Sequence, residues 1–590
     1  MADDSGYENQ HPRPQLRRKS WQSLNGRWRF AYDDHLAWCE PAKVPDWPLE
    51  IEVPFAPESR RSGIGDTGFH RSCWYEREFD APETFDRLML HFGAVDYQAW
   101  VWVNDQLVAE HEGGHTPFSA DITTALRPEG PQRVTVRVLD DPEDLEKPRG
   151  KQDWRLEPHG IWYPRTTGIW QMVWLEPIAK TRIAKLRWTP HLERWEIGVE
   201  ILVNDRISDD LRIRIRLTHG DVLLVDDVYR VLKGQAHRRI AMSDPGIDDF
   251  RNDLLWSPER PTLLNADITL WCGEEIIDEV RSYTALRSVA VHRDRLLLNG
   301  RPYALRMVLD QGYWPDSLMT APDDAALRRD IELVKEMGFN GVRKHQKIED
   351  PRFLYWADRL GLAVLEEMPS TYRFSQESVC RQMNEWVEVI ERDYSHPCIL
   401  MWVPFNESWG VPDLPATPAH RNAVEAFFHL TKTLDQTRPV IGNDGWEASA
   451  TDVIGIHDYG SAEELEQRYG PAAKLDDLFD RRRPGGRVLT LDGYPHRGQP
   501  IFLTEFGGIA YVPRHQDHAE NVWGYGICDE LGAFEDACCE LLHVAHNTTM
   551  FGGFCYTQFT DTFQEVNGLL YADRTPKIPL RKIAAAVRGE

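Results

Sequence analysis

The chain has 590 residues, enough for two to four domains that each bury a core of their own. A net charge of -26 argues against nucleic acid and anionic membranes as partners, since both require basic patches. Nine scattered Cys with no Cys-x-x-Cys pair exclude a zinc ribbon or a disulfide framework, and predict reduced thiols in a cytoplasmic protein.

Residues 1–20 read as a polar arm without the apolar core of a secretory signal, and no run approaches the roughly 18 to 20 apolar residues of a membrane span. A turn at Asn25-Gly26 then opens a series of short alternating runs: Trp21 to Tyr32, Trp74 to Phe79, Leu88 to Phe92, Tyr97 to Val103, Arg133 to Leu139 and Gly168 to Leu175. Gly, Pro, Asn and Asp clusters separate them, which predicts a β-sandwich over residues 1–180. A second set at Leu186 to Thr189, Trp195 to Val203, Leu211 to Leu217, Ala266 to Cys272 and Glu279 to Tyr283 predicts an immunoglobulin-like sandwich over 181–285.

After a turn at Asn299-Gly300 the rhythm changes. Apolar runs at Tyr303 to Leu309, Asn340 to His345, Ala363 to Met368, Ile399 to Asn406, Val440 to Gly445, Val453 to Tyr459, Ile501 to Phe506 and Gly553 to Phe559 have the unbroken apolar character of parallel strands covered on both faces. Amphipathic segments at Asp323 to Met337, Glu377 to Tyr394, Ala419 to Leu434 and Asp517 to Ala545 fall between them. The alternation predicts a (β/α)₈ TIM barrel over 286–590, with its active site at the carboxyl ends of the strands.

Two of those ends carry a carboxylate. Ile399 to Asn406 runs into Glu407, and Ile501 to Phe506 contains Glu505 near its end. One strand-end Glu can simply cap a helix or pair with an Arg, but two on separate strands are the minimum equipment of a glycosidase. One group protonates the departing oxygen while the other stabilises the oxocarbenium ion. Asn406, Asp310, Arg343, His345, Glu366, Glu367, His457, Asp458 and Tyr459 occupy other strand ends and are expected to converge there. Arg343 is placed to pair with a nucleophilic carboxylate and Tyr459 to donate a hydrogen bond to it. No tight His-x-His or His-Glu-x-x-His spacing occurs, so neither metal nor cofactor is expected. The 22 Trp suit either large cores or surfaces on which sugars stack.

These residues together resemble glycoside hydrolase family 2, which includes β-galactosidases, β-glucuronidases and β-mannosidases. Ser23-Leu24-Asn25-Gly26-Arg27-Trp28 and Thr167-Gly168-Ile169-Trp170 resemble the two ends of the family's sugar-binding jelly roll. Leu298-Asn299-Gly300-Arg301-Pro302, Gly338 to Arg343, Asn406-Glu407 and Thr504-Glu505-Phe506-Gly507 resemble its barrel motifs. The resemblance implies a retaining double displacement with Glu407 as acid/base and Glu505 as nucleophile, Asn406 at the sugar 2-hydroxyl, and Tyr459 and Arg343 around the nucleophile. It also implies that the chain lacks the additional C-terminal domains of the large β-galactosidases.

Departures from the family pattern fall where the sugar is read. Lys344-His345-Gln346-Lys347 follows Arg343 where many members have Ser-His-Tyr-Pro, Leu309-Asp310-Gln311-Gly312 replaces the galactosidase Asn-Arg-His-Glu, and Val566-Asn567-Gly568-Leu569 has no Lys where glucuronidases use one. Lys344, Lys347 and Arg343 are nevertheless candidates to bind an acidic sugar, and Trp314 is a candidate stacking residue. The reading places an exo-acting β-galactosidase-like enzyme on a glycoside or oligosaccharide first, a β-glucuronidase second, and a β-galactofuranosidase or α-L-arabinofuranosidase as a further option. The rival of another class is a non-catalytic carbohydrate-binding protein. A homo-oligomer is left open.

Overall fold

The structure is a computed structural model and describes residues 11–204, 210–242, 253–482, 486–513 and 522–590. Three layers of architecture follow one another along the chain. The first is a jelly roll of two antiparallel sheets. A six-stranded sheet includes Gly26–Tyr32, Ser72–Phe79, Gln132–Leu139 and Gln98–Val103, and a four-stranded sheet includes Val173–Ile178 and Arg87–Phe92. Alternate residues such as Trp28, Phe30, Val134, Val136 and Val138 point inward to a common core, as the two-residue period of a strand requires. Leu49–Val53 and Gln106–Glu112, which lie outside the alternating runs, complete the six-stranded sheet, and Gln22–Ser23 and Phe118–Asp121 the four-stranded one.

The second layer is an immunoglobulin-like sandwich of a three-stranded sheet (Arg182–His191, Glu196–Asn204, Gln235–Ala241) and a four-stranded sheet (Val222–Arg230, Leu211–His219, Leu264–Cys272, Glu275–Thr284). Residues 11–18 are not the free arm expected from their polarity. Buried Arg18 binds Asp278 at 2.8 Å and Glu176 at 3.2 Å, while Arg13 reaches Glu176 at 2.7 Å, so the segment clamps one sandwich to the other. Polar residues predicted as solvated are here consumed by buried carboxylates.

The third layer is the barrel. Seven parallel strands run in the order Ile399–Val403, Ala363–Glu367, Gly341–Lys344, Leu305–Asp310, Phe551–Thr557, Ile501–Gly507 and Ile454–His457. The expected fifth strand is present only as bridges. Ile441 N donates to Trp402 O at 3.0 Å, Asp444 N to Phe405 O at 2.9 Å and Glu407 N to Asp444 O at 2.9 Å, which fills the gap beside strand four without a regular ladder. On its other side the Asp444 side chain lies against strand six, where a Cβ on Gly455 would stand 1.6 Å from Asp444 Oδ1. The carboxylate fills the position that a side chain at 455 would take.

Helix signals act as their chemistry predicts. Asp323 caps the helix Asp324–Glu336 by accepting from Ala326 N at 2.8 Å, and Leu327, Ile331 and Val334 form its buried stripe. Pro351–Leu360, which the sequence reading passed over, has Pro in its first turn and ends on left-handed Gly361. The helix expected from Asp517 is shorter: its start lies outside the described residues, Gly526–Cys528 pairs as a strand with Ile509–Tyr511, and the helix spans Leu531–Asn547. Among the described residues no helix is long and apolar enough to cross a membrane.

Candidate active site

Strand four delivers its polar end through a distorted backbone. Ile399–Val403 is buried on both faces, and the chain then turns so that Glu407 and Ser408 take φ of +50° and +57°. Left-handed geometry is costly for residues with a Cβ, and it persists where neighbours enforce it. Ser408 N donates to Asn443 Oδ1 at 3.0 Å and Ser408 Oγ to Glu447 Oε2 at 2.8 Å, so the turn is held by side chains next to the expected fifth strand.

Glu505 projects from strand seven and is nearly buried. Its Oε1 accepts from Arg343 Nη1 at 3.0 Å and its Oε2 from the Tyr459 hydroxyl at 2.6 Å. The Tyr459 ring is in turn stacked on Tyr525, with 3.5 Å between centroids and 7° between planes. Arg343 is fully buried and spreads its guanidinium over several acceptors: Glu367 Oε2 at 2.7 Å from Nε, Asp444 Oδ2 at 2.9 Å and Asn406 Oδ1 at 2.7 Å. Burial opposes its charge, but Asp444, Glu367 and Glu505 outweigh that and hold the guanidinium protonated.

His457, at the end of strand six, stands between the two glutamates. Its Nδ1 is 2.7 Å from Glu407 Oε1 and 3.3 Å from Glu505 Oε2, and its Nε2 is 3.5 Å from Asp444 Oδ2. Burial disfavours the imidazolium, yet Glu505, Asp444 and Glu407 push its pKa up to about 10. Asp444 moves the other way, to about 2, because Arg343, His457 and the Thr504 hydroxyl stabilise its carboxylate against burial. One oxygen of Glu407, one nitrogen of His457 and one oxygen of Glu505 lie within 4.8 Å of one another. Asp358, His396 and Cys398 form a second such trio, whose atoms are engaged with each other: Asp358 Oδ2 lies 2.6 Å from His396 Nδ1, and Oδ1 accepts from Cys398 N at 2.8 Å.

The structure thus gathers Glu407, Glu505, Asn406, Arg343, Tyr459 and His457 around one cleft. The remaining expected residues lie behind its wall. Glu367 is enclosed and occupied by Arg343, by Gln346 N at 3.0 Å and by His345 Nδ1 at 2.9 Å, so it orients these groups and has no face for a ligand. His345 is buried, and its pKa falls well below the ordinary value through burial and then Arg343, so it is neutral. Asp310 is saturated by Lys344 Nζ at 2.6 Å and Gly312 N at 2.8 Å. Trp314 is 6% exposed and packs beneath Arg574 and Lys347, an anchored core ring in place of the open stacking surface expected. Asp458 accepts from Tyr469 and Arg468 and ties down the following helix.

Lys344 and Lys347 are likewise committed. Both reach Glu349 Oε2, at 2.7 and 2.9 Å, and Lys347 also donates to Gly312 O and Met319 O. Residues not singled out from sequence are Asp444, Tyr525 and the jelly-roll loop carrying Lys151 and Tyr163. Asp444 sits at the end of an anticipated strand and shared the strand-end signal. The other two reach the cleft from segments distant in sequence, which only folding brings near.

A TIM barrel with paired carboxylates across the carboxyl ends of two strands defines a glycoside hydrolase. Residues 289–588 match the model for "Glycosyl hydrolases family 2, TIM barrel domain" and residues 64–162 that for "Glycosyl hydrolases family 2, sugar binding domain". The chain belongs to glycosyl hydrolase family 2 and is an O-glycosyl hydrolase. It is 27% identical over 546 residues to the β-glucuronidase of Rattus norvegicus, covering 84% of this chain and 78% of that one. It is 25% identical over 669 residues to a β-galactosidase of Yersinia pestis, covering 97% of this chain but 56% of that protein, so it spans little more than half that length. In fold it resembles the β-glucuronidase of Bifidobacterium dentium solved with coumarin-3-O-glucuronide, with a TM-score of 0.77, 20% identity and 98% of each chain covered. It also resembles a β-galacturonidase of Eisenbergiella tayi, with a TM-score of 0.73, 19% identity, and 98% of this chain and 97% of that one covered.

Proposed function

We propose that the protein is an exo-acting, retaining β-glycosidase that removes a terminal non-reducing sugar by double displacement. The carrying observation is the narrow gap between the two carboxylates: oxygens of Glu407 and Glu505 lie within 4.8 Å of one another. Inversion requires a wider gap, roughly 6.5 to 9.5 Å, to admit a water between sugar and base.

Glu505 is the nucleophile in this reading. Arg343 binds one of its oxygens and Tyr459 the other, so the attacking lone pair is presented to the anomeric carbon in a fixed direction. Glu407 protonates the leaving oxygen, then deprotonates the water that hydrolyses the glycosyl-enzyme. Asn406 gives its side-chain carbonyl to Arg343, which leaves the amide nitrogen as the donor toward the sugar 2-hydroxyl. The sugar itself is narrowed less: relatives named β-glucuronidase and β-galactosidase support both a uronide and a β-galactoside.

Proton NMR of an early reaction on a 4-nitrophenyl β-glycoside tests the mechanism. The β-anomer of the released sugar is expected first. The α-anomer appearing first would remove Glu505 from the nucleophile role, and no turnover of any glycoside would leave the carbohydrate-binding reading in its place.

A further inference from the structure

Among the described residues five lysines are buried: Lys147, Lys151, Lys344, Lys347 and Lys577. Four have a carboxylate at ion-pair distance, namely Lys147 with Asp140, Lys344 with Asp310 and Glu349, Lys347 with Glu349, and Lys577 with Asp561. Lys151 has none among the described residues, although it is 5% exposed. An ammonium taken out of water without a counter-ion at ion-pair distance is costly, and buried titratable groups of this kind cluster at functional sites.

Lys151 belongs to the jelly roll but is held on the barrel. Arg149 N and Gly150 N both donate to Ser370 O at 3.1 Å, and the Tyr372 hydroxyl donates to Gly150 O at 2.7 Å. Gly150 has φ +58°, and a Cβ there would stand 2.3 Å from Gln346 O, so only glycine lets the loop lie this close to the strand-two end. Tyr163 N donates to Lys151 O at 2.8 Å, and the Lys151 ammonium lies 5.5 Å from the Tyr163 ring centroid. The Tyr163 hydroxyl donates to buried Glu565 Oε2.

These contacts seat the loop that carries Lys151 on the segments that follow strands two and three, through Gln346 and Ser370. The Lys151 charge acts on Glu565, whose carboxyl is raised by burial and drawn back by Lys151, and on His345, which burial, Arg343 and Lys151 together keep neutral. His345 Nδ1 is 4.0 Å from Glu505 Oε1, which sets His345 beside the nucleophile. The cations facing the site are occupied: Arg343 by Glu367, Asp444 and Glu505, and His457 by Glu407, Glu505 and Asp444. Lys151 differs from them in having no carboxylate at ion-pair distance among the described residues, with Glu565 an electrostatic partner.

We propose that Lys151, supplied by the jelly roll, is the specificity-determining residue that binds the carboxylate of a uronic acid seated against Glu505. The substrate class is therefore a terminal β-linked uronide. This rests on the glycosidase reading above and adds to it a second domain's part in recognising the sugar.

The test compares kcat/KM of the full chain on 4-nitrophenyl β-D-glucuronide, β-D-galacturonide and β-D-galactoside, for the unaltered protein, Lys151→Met and Lys151→Arg. The unaltered protein should prefer one uronide over the galactoside by about a hundredfold. Lys151→Met should reduce that ratio by about a hundredfold, within the range expected when one partner of a buried charge pair is removed. Lys151→Arg should retain part of the preference. Galactoside turned over as well as either uronide, or equal losses on all three substrates in Lys151→Met, overturns the assignment while leaving the glycosidase reading intact. No turnover of any of the three overturns the assignment, and no turnover across a wider panel of pyranosides and furanosides overturns the glycosidase reading as well. If Lys151→Met does not fold, inhibition of the unaltered protein decides: D-glucuronate or D-galacturonate should inhibit more strongly than D-galactose, and equal inhibition overturns the assignment.

Discussion

The imidazole of His457 lies 2.7 Å from the carboxylate of Glu407 and, through the same nitrogen, 3.3 Å from Glu505. One ring therefore bridges the two groups to which we assign the acid and nucleophile roles. Its pKa is pushed from 6.5 up to about 10: burial opposes the charge, and Glu505, Asp444 and Glu407 overcome it. A group whose folded pKa is raised adds stability that is complete below its unfolded value and is lost as pH rises through the folded one. Urea unfolding of the unaltered protein and His457→Asn should therefore differ most near about pH 6 and converge above about pH 10. A difference that does not change with pH would show that the imidazolium is absent.

Glu505→Gln keeps the shape of the side chain but removes the nucleophile. Turnover should fall by about 10⁴-fold or more, as for other covalent catalysts that lose the attacking group, while circular dichroism stays that of the folded chain. Mass spectrometry after a 2-fluoro glycoside should find the label on Glu505. A label on any other residue contradicts the assignment.

Glu407→Ala should separate substrates by leaving group. A dinitrophenolate departs with little protonation, whereas a sugar alkoxide needs it, so natural glycosides should lose about 10² to 10⁴ in kcat/KM and the activated aryl glycoside much less. Equal losses on both would remove Glu407 from the acid role.

Arg343→Met leaves Glu367, Asp444 and Glu505 without their shared cation inside the protein. Removing one partner from such a buried network costs about 3 to 5 kcal/mol. Arg343→Lys restores charge but not the fan of donors, since an ammonium cannot match the planar fork, and should remain below the unaltered protein in urea unfolding. A Met variant as stable as the parent would refute this account of the network.

Asn406→Ser tests the 2-hydroxyl contact. Rates on ordinary glycosides should drop by about 10² to 10³, the scale of one lost donor at a developing charge. Matched 2-deoxy glycosides should be nearly indifferent to the change, and a similar drop on both would place Asn406 elsewhere.

Much of this site is readable in the chain itself because parallel barrel strands are buried on both faces. Only apolar residues are tolerated along Ile399–Val403, so the polar residues that follow, Asn406 and Glu407, stand out as candidates for a site. Glu505, Arg343, His457 and Tyr459 carry the same mark. The signal fails in two ways. It cannot tell a strand-end group that faces the cleft from one that supports it, which is why Glu367 and Asp310 looked like substrate ligands until their partners were seen. Nor does it extend to Lys151, in a polar loop whose local composition is that of any surface turn.

The sequence alone determined the order of architectures, the eight-fold strand rhythm and the two glutamates, because burial period and strand-end polarity are local properties of the chain. Only the tertiary structure decided what each charge does. Whether a lysine is neutralised, as Lys344 is by Asp310 and Glu349, or has no carboxylate at ion-pair distance, as Lys151, depends on which carboxylates folding brings within a few ångströms. The same holds beside the fifth strand, where the buried Asp444 side chain ties Arg343 to His457. Coulomb interactions depend on distance in space and not on separation along the chain, so their balance is settled only when the domains have closed on one another.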